Sequence, residues 1–73
     1  MEKNIFYGEI KDILEIEDDV IHEETEIQLT SLSTLSIMAF IDENFEKQVK
    51  PTDLQKVTSV RNLMDLIGRE NFV

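Results

Sequence analysis

The sequence predicts an all-α fold, a small four-helix bundle made of three main helices and one short one. Apolar residues recur at helical spacing in three separate segments. The 73 residues include only two glycines and one proline, too few for a turn-rich sandwich. A chain this short buries only roughly 60% of the surface its unfolded form exposes, so a single economical core in one domain, residues 1–73, is expected. With 41% hydrophobic residues the chain is not a disordered tail.

Phe6, Ile10, Ile13 and Leu14 stand at i, i+4, i+7 and i+8, with Glu9, Lys11, Asp12 and Glu15 on the opposite side, which predicts a first helix over residues 3–15. Gly8 inside it costs about 1 kcal/mol relative to alanine. Residues 16–29, IEDDVIHEETEIQL, have no sustained period, and their acids repel one another. A long connection is expected there, pinned to the core by Ile16, Val20, Ile21, Ile27 and Leu29.

Thr30 or Ser31 can cap the next helix, which runs from Leu32 towards Phe45. Its apolar residues cover more than one face. The stripe Ile37, Met38, Ile41 and Phe45 suffices to meet the core, which leaves Leu32, Leu35 and Ala39 on an adjoining stripe able to face a partner. Pro51 disfavours helix at Lys50 and marks a break. Thr52 is expected to cap a short helix, Thr52 to Gln55. Thr58 or Ser59 then caps the last helix, in which Val60, Leu63, Met64 and Ile67 keep helical spacing and Gly68 acts as the stop. The inner residues Ile10, Leu14, Ile37, Ile41, Phe45, Leu63 and Ile67 are the expected core.

Sixteen acidic residues against seven basic ones give a formal net charge of −9. That charge repels phosphate backbones and anionic lipid surfaces, so neither nucleic acid nor membrane is an expected partner. Proteins with basic patches are. The chain has no cysteine, so no disulfide, zinc cluster or thiol nucleophile comes from its own residues. The opening segment MEKNIFYGEIKD lacks a basic n-region and a continuous apolar stretch, and the expected location is cytoplasmic. His22 reads as an exposed loop residue. Glu15, Glu17, Asp18, Asp19, Glu23, Glu24 and Glu26 read as a solvated acidic face, without the glycine spacing of a calcium loop.

The fifteen residues 27–41, IQLTSLSTLSIMAFI, carry no charge at all, and Ser31 stands at their polar opening. A serine nucleophile needs an activating base oriented by a third group, and the single histidine, His22, lies in an acidic loop. No catalytic residue is therefore assigned, and the protein is not expected to be an enzyme. Read from the residues alone, Ser31 is a helix cap contributing about 1 kcal/mol.

The order of a long acidic loop, the run LTSL, an amphipathic helix ending in Asp42-Glu43-Asn44-Phe45-Glu46, a proline break and the run Lys56-Val57-Thr58-Ser59-Val60 before a final helix resembles the acyl carrier protein family. The resemblance covers nearly the whole chain. Family members place a modified serine before a leucine, here Ser31-Leu32, and an aromatic fourteen positions later, here Phe45. Their specificity lies in the joint spacing. The resemblance implies an acyl-carrier-protein-like fold in which Ser31 carries 4′-phosphopantetheine, whose thiol holds acyl groups as thioesters for delivery to separate enzymes of fatty acid, polyketide or related biosynthesis.

It further implies a phosphopantetheinyl transferase and acyl-transferring or synthase enzymes with basic docking patches as partners of a monomer. Leu32, Leu35 and Ala39, together with Asp42, Glu43 and Glu46, would form the docking surface. The chain departs from the family where an acid usually precedes the serine, here Thr30, and where acids often follow it, here Ser33 and Ser36. The usual glycine before the serine is absent and the preceding loop looks shortened. A transferase that reads those carboxylates is expected to bind poorly, and partners other than housekeeping fatty-acid enzymes are implied. The alternatives are a peptidyl or aminoacyl carrier, and an unmodified adaptor that binds a protein through the same helical surface.

Overall fold

The computed structural model describes every residue except Asp19. Four α-helices follow one another among the described residues, α1 (Lys3–Leu14), α2 (Ser31–Phe45), α3 (Pro51–Leu54) and α4 (Val60–Ile67), and a 3-10 turn over Arg69–Asn71 completes the order. Among the described residues there is no strand, only an isolated antiparallel bridge between Glu26 and Ser59. No helix among the described residues is long and apolar enough to cross a membrane.

α1 buries Phe6 and Ile10, with Ile13 and Leu14 packed at the margin of the core. It stops one residue earlier than the sequence predicts because Glu15 turns left-handed, at φ 53°, and its N–H bonds back to Asp12 and Lys11 carbonyls. Among the expected loop anchors, Ile21 and Ile27 are buried, and Ile16 and Leu29 are partly buried against the core. Val20 is not an anchor, being 67% exposed.

Backbone pairing holds the loop as well. The Ile27 N–H donates to the Thr58 carbonyl at 3.0 Å, Val60 to Thr25 at 3.0 Å and Arg61 to Glu23 at 2.9 Å. Loop carbonyls thus meet amide groups at the start of α4 that have no intrahelical partner. The acidic face expected to be fully solvated is partly stapled as well, with Glu23 pairing with Arg69 and, at 3.9 Å, with Arg61, while Glu24 meets Arg61 at 3.1 Å. Asp19, counted among those acids, lies outside the described residues.

α2 buries Ile37, Phe40 and Ile41, while Met38 and Phe45 are only partly buried. Phe40 therefore takes a core place that the sequence reading gave to Met38. At 3.6 residues per turn it falls beside Ile37 and Ile41, and its ring meets Phe6 at 6.0 Å and Phe45 at 6.1 Å. Phe72, outside the expected core, closes the cluster edge-on to Phe6 at 4.8 Å.

α3 begins at Pro51 rather than at Thr52, so Thr52 is not its cap. Proline suits the first helical position because its missing N–H would have no partner there, and the Lys50 N–H is taken by Asp53 Oδ2 at 3.1 Å. α3 contributes the fully buried Leu54. α4 is capped by Ser59, whose hydroxyl accepts the Asn62 N–H at 3.2 Å, and it buries Val60, Leu63, Met64 and Ile67. Gly68 ends it at φ 113°. Lys47 reaches across to the same end, and its ammonium donates to the carbonyls of Leu66 at 2.8 Å and Ile67 at 3.2 Å, where the helix dipole favours a cation.

Candidate functional site

The site is the start of α2 and the face that runs from it. Thr30 has extended backbone at φ −87° and is the residue that caps the helix. Its Oγ1 accepts the Ser33 N–H at 3.1 Å, while the Ser33 hydroxyl oxygen accepts the Thr30 N–H at 2.8 Å. The reciprocal pair is a capping box with serine at the third position in place of the usual glutamate or glutamine. Ser33 is thus committed to the helix end, and Ser36 donates back to the Leu32 carbonyl at 3.4 Å.

Ser31, between the two partners of that box, is the first helical residue and is exposed. Among the described residues its hydroxyl has no hydrogen-bond partner. The N–H groups of Ser31 and Leu32 likewise have no intramolecular acceptor, whereas the next two are taken by Thr30 Oγ1 and the Thr30 carbonyl. No carboxylate stands in the first turn, so the positive end of the helix dipole is not offset from within the helix.

Ser31 borders an open groove of about 360 Å³ lined also by Leu29, Thr30, Thr34, Leu35, Pro51 and Gln55. A second groove of about 340 Å³ lies along Ile13, Leu14, Glu15, Gln28, Thr30, Leu32, Ser33 and Ser36. Pro51 of α3 and Gln55, which ends it, were missed by sequence reasoning. Nothing local marks two residues twenty or more positions downstream as neighbours of the serine; the packing of α3 on α2 brings them there.

The expected docking residues do share one exposed face. Leu32 is 77% and Leu35 62% exposed, and Ala39, Asp42, Glu43 and Glu46 are exposed too. The core residues of α2 occupy the opposite side. Asp42, Glu43 and Glu46 have no ion pair among the described residues, since the arginine pairs go to Glu23, Glu24 and Asp65. They crowd the end of a helix with no basic residue in its last turn, where negative charge is unfavourable, and Glu46 adopts the left-handed φ of 52°. Their placement therefore does nothing for the stability of the helix.

Phe45 stands half-buried between Phe40 and Phe72, at ring distances of 6.1 and 5.5 Å, a packing role. His22 is exposed, and its backbone N–H donates to Thr25 Oγ1 at 2.8 Å. No protein-family model matches this chain, and no curated protein or solved structure matches it either.

Proposed function

We propose that this chain is an acyl carrier protein, modified at Ser31 by 4′-phosphopantetheine and presenting thioesters to separate enzymes. The observation that carries the reading is the division of labour among three hydroxyl residues. Thr30 and Ser33 perform the capping that would otherwise explain a serine here, and Ser31 is left exposed with an uncommitted hydroxyl.

The donor chemistry suits the group. Two amide N–H groups without acceptors among the described residues, those of Ser31 and Leu32, lie at the positive end of α2, where a phosphodiester is stabilised. Leu29, Thr34, Leu35, Pro51 and Gln55 border the serine and would flank the arm. When attached, the group supplies the thiol that a chain without cysteine lacks. The protein's own residues do the rest: Ser31 offers the attachment oxygen, the capping box holds the helix end rigid, and the exposed face of α2 receives partner enzymes.

The test is intact mass. Wild type and Ser31→Ala are incubated with coenzyme A and a promiscuous phosphopantetheinyl transferase, and one added arm is expected on wild type alone. An unmodified wild type, or an arm that survives the substitution, sinks the assignment. Subsequent loading by purified acyl and aminoacyl ligases separates an acyl carrier from an aminoacyl carrier.

A further inference from the structure

The exposed face of α2 is divided lengthwise by chemistry. Its first part, Leu32, Leu35, Ser36 and Ala39, is uncharged and carries two of the most exposed leucines of the described chain. Its last part, Asp42, Glu43 and Glu46, is acidic and without ion-pair partners among the described residues. At a rise of about 1.5 Å per residue the acids begin roughly 16 Å from Ser31 and end roughly 22 Å from it.

We infer that the enzyme that docks here to act on Ser31 has a two-part surface, apolar and uncharged next to its reactive centre and basic only at the far end of the helix. The proposal rests on the carrier reading and goes beyond it by stating what the partner must lack. Charge complementarity chooses the occupant. A second copy of the chain would bring another −9 against the same acids, whereas a partner with distal lysines or arginines is steered into register by them. Near Ser31 the contact is made by leucine side chains, and a partner cation held against Leu32 and Leu35 would be desolvated with no carboxylate of α2 to meet it, Glu15 of the neighbouring groove lying on the side of Ile13 and Leu14.

The inference makes an opposite prediction from a surface that is basic throughout. Ser36 is exposed and lies on the same face, one turn after Leu32. Ser36→Glu places a carboxylate where the partner is apolar, so docking should weaken; against a basic patch the same change should strengthen it. A panel of purified phosphopantetheinyl transferases is screened with coenzyme A, and the one that modifies wild type fastest is used for wild type, Ser36→Glu, Leu35→Ser and Asp42→Asn/Glu43→Gln/Glu46→Gln, each checked for an unchanged melting temperature.

For Ser36→Glu and Leu35→Ser, kcat/KM should fall by about tenfold, the scale of one buried charge or leucine contact, with the salt dependence of the residual rate unchanged in Leu35→Ser. In the triple neutralised variant the rate should fall and lose most of its salt dependence. A rise, or no change, with Ser36→Glu overturns the two-part surface while leaving the carrier reading intact. Dimerisation of wild type that Leu35→Ser abolishes overturns it in favour of self-association. No arm on wild type with any transferase overturns both.

Discussion

Thr30→Ala and Ser31→Ala alter adjacent hydroxyls at the same helix end, and the structure assigns them opposite consequences. Removing Thr30 Oγ1 leaves the Ser33 N–H without its acceptor at 3.1 Å and dissolves the reciprocal pair that also satisfies the Thr30 N–H at 2.8 Å. A lost cap of this kind costs about 1 kcal/mol, within a range of roughly 0.5–2. For a domain of this size that corresponds to a fall in Tm of about 4–8 °C. Ser31→Ala removes an exposed hydroxyl that bonds to nothing among the described residues, and alanine is the better helix former. Its effect should stay within about 0.5 kcal/mol of zero. Urea denaturation followed by circular dichroism measures both, with equal slopes expected because neither change alters the surface exposed on unfolding. Adding Ser33→Ala to Thr30→Ala should cost less than the sum of the two single losses, since both cut the same pair. A loss in Ser31→Ala as large as that in Thr30→Ala would refute the assignment, because Ser31 would then be the cap and would need no other explanation.

Two further outcomes follow from positions away from the site. Gly8 lies in α1, and a Cβ placed there meets nothing within 4 Å, so Gly8→Ala should stabilise the protein by about 0.5–1 kcal/mol in the same denaturation assay; destabilisation would show that the open space above Gly8 is needed. The Tyr7 phenol is held above its ordinary 10.0 first by burial and then by the Glu23 carboxylate. Its neutral form is therefore favoured in the folded state, and its contribution to stability is present below pH 10.0 and lost as pH rises through the folded value. An ultraviolet titration of the phenolate checks this, and a phenol ionising at or below 10.0 would contradict it.

Much of the fold is written in short-range pattern. The apolar spacing of α1, the capping residue Ser59, the proline at the start of α3 and the glycine after α4 each act within a few positions of themselves. The errors are local as well: Glu15 enters the left-handed region without being glycine, and Lys50 rather than Thr52 precedes α3. The loop is a different case. Its scattered apolar residues suggested side-chain anchors, and Ile16, Ile21, Ile27 and Leu29 do meet the core while Val20 does not, yet a second restraint is backbone pairing of residues 23–27 with 58–61. Amide hydrogen bonds leave no mark on side-chain periodicity, so no pattern in residues 16–29 announces them.

At the start of α2 the division between the two levels is sharpest. The sequence by itself determined an uncharged helix opening with three hydroxyls at positions 30, 31 and 33, an apolar stripe, and acids at the far end, because all of these are properties of one continuous segment. Which hydroxyl caps and which is left free depended on the backbone angles at Thr30. Which leucines face outward depended on where α1 and the other core elements cover α2. The groove beside Ser31 depended on α3, since Pro51 and the following cap residue Gln55 arrive only through tertiary packing. Local interactions set what each segment can form, whereas exposure and juxtaposition are relations between segments and exist only once the chain has closed on its core.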